Sequence, residues 1–186
     1  MRHIINTSYK RQMISQFKWG LCLIFLCVAC GPDLQVVQEA GVEYQVYLQE
    51  DSGQIVRHGY FKAFYDSGAP KTVGQYEHGS RSGVWSNWYE NGQKQSEMDW
   101  VDGHPEGVVR EWYENGQMKN EGFWKENGRH GLSTWWYESG IKEKEVTYVN
   151  GEPDGIWVYW DSTGAVSKKQ YWKQGEFLRV EPDTTY

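Results

Sequence analysis

Acidic side chains recur beside glycine-containing segments of this chain and could carry chemistry. They are Asp66, Glu90, Glu114 and Glu138, each 24 residues after the last. Two carboxylates within roughly 5 to 9 Å of each other could bind a cation or act as a general acid–base pair. The alternative, which we favour, is that each acid beside a turn is solvated and deters edge-to-edge association of strands. We therefore predict no catalytic residues.

Histidine, cysteine and serine patterns point the same way. His58, His78, His104 and His130 are interpreted as falling at different positions of the repeat, and no His-x₃-His spacing is present. The one Cys-x₂-Cys spacing, Cys27 to Cys30, lies at the end of the apolar N-terminal segment and has no second cysteine or histidine pair to complete a metal site. There is no G-x-S-x-G elbow and no glycine-rich phosphate loop. Near-equivalent units also spread their chemistry evenly, whereas an active site needs one place that differs. The sequence predicts no metal site, no cofactor and no enzymatic activity.

Most of the chain is an array of sequence repeats, and the fold of this array determines where any functional residues lie. Five copies of a 24-residue block open at Gly59, Gly83, Gly107, Gly131 and Gly155. Asn91-Gly92 and Asn115-Gly116 are typical of a type I′ hairpin turn, so each block is predicted to be one β-hairpin. The connections between blocks are predicted to be longer, with Pro105 and Pro153 breaking strand pairing. The expected fold class is all-β: an open antiparallel meander of about ten strands in a single-layer twisted sheet.

Aromatic residues recur in rows along this array. One row contains Phe64, Trp88, Trp112, Trp136 and Trp160, and the next contains Tyr65, Tyr89, Tyr113 and Tyr137. Because adjacent residues of a strand point to opposite faces, we expect the two rows on opposite sides of the sheet. The rows could stabilise the sheet by packing, or they could bind sugars or a partner's side chains. We favour packing for most members and take Trp88, Trp112 and Trp136 as the candidate binding residues.

The ends of the chain depart from the repeat. We expect an irregular capping hairpin at residues 42–58, five repeats at 59–178 and a tail at 179–186. Residues 1–29 have the parts of a secretory signal, namely four cations, no acid and a short apolar run from Leu21. That run is far shorter than the roughly 20 residues of a membrane span, so we expect its removal. A start at Met13 would give a signal of more usual length.

Cys30 is the only cysteine that would survive cleavage of this signal. The string Cys27-Val28-Ala29-Cys30 resembles the lipobox of bacterial lipoproteins, although Cys27 occupies a position where that family prefers leucine. The resemblance implies a lipid on Cys30, a tether over residues 30–41 and attachment to the membrane of a bacterial cell envelope. Gly31 lacks the aspartate that retains lipoproteins at the inner membrane of enteric bacteria, which favours the outer membrane. An ordinary signal peptide with an incidental cysteine is the alternative.

The net charge of the chain argues against one class of partner, the nucleic acids. The full chain carries 19 cations and 25 acids, and loss of the four signal cations leaves 15 cations, a net charge of −10. Proteins bind nucleic acids and anionic lipid surfaces through clustered lysine and arginine side chains, which an acidic chain lacks. We therefore predict no nucleic-acid binding and expect lipid contact through the anchor alone.

The string GVWSNWYENGQ from Gly83 resembles the MORN-variant repeat of bacterial proteins labelled toxin-antitoxin system YwqK family antitoxin. The resemblance covers residues 59–178 and departs from the pattern at Val109, Ser133 and Asp161. It implies an open sheet of stacked hairpins. The function we predict is a lipid-anchored, non-enzymatic scaffold that binds another protein. The alternatives are an antitoxin-like or immunity protein that caps a toxin, and a protein that binds a glycan or peptidoglycan through its aromatic rows.

Overall fold

The computed structural model describes residues 33–126 and 128–182, and there the chain forms one antiparallel sheet without helices. Neighbours in the sheet are neighbours in sequence, apart from the two-residue β11, which pairs with β10 beside β12. The predicted open meander of hairpins in a single layer is confirmed. Within these residues there is no helix that could cross a membrane.

The strands are β1 (Gln35–Glu39), β2 (Val42–Gln49), β3 (Gln54–Phe64), β4 (Pro70–Glu77), β5 (Ser80–Trp88), β6 (Lys94–Val101), β7 (His104–Trp112), β8 (Met118–Lys125), β9 (Gly128–Trp136), β10 (Lys142–Val149), β11 (Glu152–Pro153), β12 (Gly155–Trp160), β13 (Val166–Lys173) and β14 (Glu176–Pro182). The sheet extends beyond the repeats at both ends. β1 lies within the segment expected to be a tether, and it pairs with β2. β14 runs to Pro182, well into the segment expected to be a tail.

The first turn of each repeat is a type I turn closed by a glycine bulge. In the second block the Gly92 N–H donates to the Tyr89 carbonyl at 3.0 Å, and the Tyr89 N–H donates to the Gln93 carbonyl at 2.9 Å. Gly92 has a φ of 85°, whereas Asn91 does not have a positive φ. Our prediction of a type I′ turn at Asn91-Gly92 was wrong. The Asn91 side chain instead accepts from the Gln93 N–H and donates to the carbonyl of Glu114 in the next repeat.

The second connection of the repeat is a two-residue turn of the type I′ kind wherever both of its residues are described, namely in four of the five blocks. At Asp102-Gly103, φ is 49° and 83°, and the flanking residues Val101 and His104 are already paired. The prediction of a longer connection was therefore wrong. Pro105 does not break the sheet either, because it lies in register with Trp100 at the beginning of β7. Proline is tolerated in such a place, at the start of a strand and beside a bulge.

A ladder of tyrosines connects successive repeats. The Tyr89 hydroxyl donates to the carbonyl of Trp112 at 2.9 Å, and Tyr113 repeats the bond to Trp136 at 2.8 Å. Tyr65 and Tyr137 make equivalent bonds. These tyrosines follow directly after the strands, so the prediction that they form a row on one face of the sheet was wrong. Their position lets each hydroxyl satisfy a backbone acceptor one repeat further along the chain.

Strand register defines two faces, because directly paired residues share a face. Trp85, Met98, Val109 and Gly122 are successive partners across β5 to β8. We call their side of the sheet the groove face. Trp88, Trp112 and Trp136 end β5, β7 and β9 and alternate to the other side, which we call the tryptophan face. The buried hydrophobic residues, Val46, Trp85, Val109 and Val146, all belong to the groove face.

Candidate functional site

A groove of about 630 Å³ lies on the groove face and reaches from the β1–β2 turn to β7. Its floor contains Phe61, Met98 and Val109, and Trp85 lies beside them. Trp85 and Val109 occupy the same position of consecutive repeats, as do Ser133 and Trp157 further along. The groove therefore opens where valine replaces a tryptophan. The sequence marked Val109 and Ser133 as departures from the repeat without showing that they sit at the buried position.

Trp85 forms one wall of the groove and is only 3% exposed. Its ring lies directly on Gly74, where a Cβ atom would come within 2.2 Å of the indole. Its Nε1–H donates to the Gln75 carbonyl at 3.0 Å. The Phe61 ring lies 5.4 Å from it, and the Arg81 guanidinium covers it at 4.2 Å. Trp85 is consequently a structural wall whose ring faces are already covered.

Polar side chains form the other side of the groove. The Thr72 hydroxyl donates to Asn87 Oδ1, and Asn87 Nδ2 donates to Ser96 Oγ, both at 2.8 Å. Glu111 pairs in register with Ser96 and also lines the groove. An apolar floor beside a few oriented polar groups is the usual character of a ligand site.

The three candidate binding tryptophans lie away from this groove. Trp88, Trp112 and Trp136 are half-buried on the tryptophan face, each at the end of its strand. The Lys94 ammonium lies over the Trp112 ring at 5.7 Å. Their backbone carbonyls are the acceptors of the tyrosine ladder. These residues thus have a structural role through their main chain, and part of each ring remains exposed.

The acids beside the turns are exposed in all four repeats. The Ser67 hydroxyl donates to Glu90 at 2.9 Å. Cys30 lies outside the described residues.

Histidines do meet in this fold, contrary to the interpretation that the repeat does not bring them together. The rings of His58 and His78 lie 5.2 Å apart, and the Tyr47 hydroxyl is 3.2 Å from His78 Nδ1. His58 and His130 also share a repeat position, and each ring accepts the backbone N–H of a left-handed turn residue. In the described part of the chain, no three His, Cys, Asp or Glu side chains are placed to hold a metal ion.

Sequence reasoning missed a set of arginines. Arg57, Arg81 and Arg129 occupy one position of the repeat, and each guanidinium lies over aromatic rings of the groove face. Their spacing of 24 or 48 residues was a readable signal.

Two groups at the edge of the sheet influence each other's proton affinity. Burial, together with a hydrogen bond to Glu43, raises the pKa of Tyr60 to about 12. The same bond, with one from Gln38, lowers the pKa of Glu43. Both residues alternate with groove-face residues, Tyr60 beside Phe61 and Glu43 beside Tyr44, and lie on the opposite face of the sheet, so they bear on stability and not on binding in the groove.

Comparison with known families gives one match. The family described as MORN repeat variant matches residues 81–102, 105–126 and 129–150. These segments correspond to the hairpins β5–β6, β7–β8 and β9–β10. No curated protein matches the chain. Repeats of this family are generally non-catalytic, and the three matches support a MORN-repeat protein.

Proposed function

We propose that this chain is a non-enzymatic scaffold, anchored by lipid to the bacterial cell envelope, which holds a polypeptide segment of a partner protein in the groove. The groove carries the proposal, because repeat variation at Val109 borders a volume of about 630 Å³ there. An apolar floor of Met98 and Val109 suits an aliphatic or aromatic side chain. The rim of Asn87, Ser96 and Glu111 offers hydrogen bonds to a peptide backbone.

The groove is tested by filling it. Val109→Trp combined with Met98→Gly would reproduce the pair formed by Trp85 on Gly74 one repeat earlier. Val108→Trp, on the neighbouring residue of the opposite face, is the matched control. A photo-crosslinking residue at Ser96 should capture a discrete polypeptide in intact cells. Filling the groove should abolish this adduct, and Val108→Trp should leave it in place.

Two outcomes count against a protein-binding groove. The first is an adduct of equal yield in the filled variant. The second is the absence of any polypeptide adduct while the unmodified protein folds normally by circular dichroism. A captured protein that arrests growth when expressed alone would place the chain among antitoxin-like or immunity proteins.

The anchor is supported by the lipobox-like sequence at Cys30, and the position of the sheet determines how far from a membrane the fold would lie. Only four residues separate Cys30 from β1, which begins at Gln35. Even fully extended, four residues span about 14 Å, so an acylated Cys30 would hold the sheet close to the membrane. Cys30→Ser should abolish labelling by radioactive palmitate and release the protein from membranes. Cys27→Ser is the matched control and should leave both unchanged.

A glycan is the second candidate ligand, because the Trp88, Trp112 and Trp136 rings remain partly exposed on the tryptophan face. Retention on cell-wall polysaccharide that survives high salt and fails in Trp112→Ala would support it. Retention that is unchanged in this variant would exclude glycan binding through these rings.

A further inference from the structure

The two faces of the sheet differ in how their cations are neutralised. On the tryptophan face, Arg110 donates to Glu121 at 2.7 Å and approaches Glu97 at 3.6 Å. Lys62 and Lys142 also pair with carboxylates there. This face therefore supplies most of its own counter-charges.

On the groove face the cations lie over aromatic rings. Distances from the charged group to a ring centroid are 5.4 Å for Arg57 on Tyr76, 4.2 Å for Arg81 on Trp85, 5.0 Å for Arg129 on Trp135, 4.7 Å for Lys144 on Trp135 and 4.4 Å for Lys168 on Tyr159. None of these five has a carboxylate of the described residues within ion-pair distance. The chain as a whole has more acidic than basic side chains, yet these five cations of the groove face have no ion-pair partner among the described residues.

The charge is most concentrated around Trp135. Arg129 and Lys144 both lie within 5.0 Å of the centroid of this one indole. Two like charges beside one ring repel each other, and an anion close to both would offset this repulsion. Aromatic contact leaves the hydrogen-bonding edge of a guanidinium available for a carboxylate, which it can bind in a bidentate manner.

Unpartnered polar atoms lie in the same place. Arg129 Nη1, Ser133 Oγ and Asn120 Oδ1 are buried without a hydrogen-bond partner. A Cβ atom on Gly122 would be 2.5 Å from Ser133 Oγ and 3.3 Å from Arg129 Nη1, so these two groups border the same small space. Unsatisfied buried polar groups are uncommon and costly in folded proteins. One of them, Arg129 Nη1, belongs to the cation pair that lacks a counter-charge, and Asn120 pairs in register with Trp135.

We infer that the segment bound along the groove face is acidic, and that one of its carboxylates is held by Arg129 and Lys144. This inference rests on the proposed function, since it takes the apolar groove as the anchor of the same polypeptide. Val109 on β7 lies two strands from Arg129 on β9 and three strands from Lys144 on β10. Strands are about 4.8 Å apart, so the carboxylate lies about 10 to 14 Å from the anchor. At about 3.3 Å per residue, this separates an apolar residue and an acid by about three or four positions.

A random peptide library selected on the purified full chain tests the spacing. We expect enriched peptides to carry Asp or Glu three or four positions from a large apolar residue. An enrichment without acids, no enrichment at all, or binding to vesicles containing phosphatidylglycerol in preference to the selected peptides would overturn the inference.

Charge-matched variants test the residues. Arg129→Gln with Lys144→Gln should weaken binding of a selected acidic peptide about tenfold or more, as expected for charged hydrogen bonds, and should flatten its salt dependence. Lys94→Gln with Arg110→Gln removes the same charge from the opposite face and should leave affinity within about twofold. Equal losses in both pairs would contradict the inference. Circular dichroism melting of each variant separates lost binding from lost folding.

The two proposals can fail separately. A polypeptide adduct at Ser96 that is lost in the filled groove but indifferent to Arg129→Gln with Lys144→Gln would retain the scaffold and reject the acidic subsite. Loss of charge dependence together with absence of any adduct would reject both.

Discussion

Replacement of Trp85 by alanine tests whether this single-layer sheet depends on its groove-face side chains for stability. Trp85 is 3% exposed, lies on Gly74 and donates to the Gln75 carbonyl. The neighbouring residue Val84 points to the opposite face and is 50% exposed. The two positions therefore compare a buried and an exposed side chain within one strand.

The magnitude follows from buried area. A tryptophan side chain buries roughly 150 to 250 Å², which at about 25 cal/mol per Å² corresponds to roughly 4 to 6 kcal/mol of transfer free energy. Gly74 offers no side chain to close the space, and the lost indole N–H removes a bond worth about 1 kcal/mol. Water can enter from the open face, which lowers the cavity cost. We expect Trp85→Ala to reduce the free energy of unfolding by about 3 to 5 kcal/mol.

Urea denaturation followed by far-ultraviolet circular dichroism measures this change. Val84→Ala in parallel should cost at most about 1 kcal/mol, because half of its side chain is already in water. If Trp85→Ala costs no more than Val84→Ala, the assignment of the core to the groove face is refuted.

Three further predictions follow from local contacts. Gly74→Ala should destabilise the fold by about 1 to 3 kcal/mol, since the new methyl group would meet the Trp85 ring at 2.2 Å. The cost, measured from urea midpoints, should largely vanish when the same substitution is made in a Trp85→Ala background. Tyr113→Phe should cost about 0.5 to 1.5 kcal/mol by the same measurement, because it removes one hydroxyl of the tyrosine ladder. Glu43→Gln should lower the pKa of Tyr60 from about 12 towards its ordinary value, seen as a shifted tyrosinate absorbance in alkaline titration. The raised pKa favours the neutral phenol in the folded state, so its stabilisation is present below pH 10 and is lost as pH rises towards 12.

The hairpin array could be predicted because its signals are local. Glycine spacing and alternation of aromatic and polar residues are read from one segment at a time, and both indicated the meander. The turn types could not be assigned in this way. Asn91-Gly92 and Asn150-Gly151 carry the same dipeptide, yet only Asn150 takes a positive φ. The two turns differ in length, because three residues lie between Tyr89 and Gln93 whereas two lie between the paired Val149 and Glu152, and the dipeptide alone does not determine that length.

The candidate site could be predicted from the sequence only in part, for a related reason. Face assignment by counting alternate residues requires an unbroken strand. In β5, however, the register with β4 shifts between Val73 and Gln75. The strand also ends at Trp88, so the tyrosine after it leaves the sheet instead of pointing to the other face. The position of Trp85 and Val109 could be identified as the buried one only after the register was known.

Variation within the repeat, more than the repeat itself, determines where this sheet can bind. Five identical blocks would give every hairpin the same tryptophan wall and no groove. At the shared buried position the side chain is large in Trp85, smaller in Val109, smallest in Ser133 and large again in Trp157. The groove beside Val109 and the unpartnered polar atoms around Ser133 both lie where this volume is missing. The turns and the tyrosine bonds that repeat along the array lie outside this position, so we expect substitutions here to reshape the groove face at a cost in stability while the order of the strands is retained.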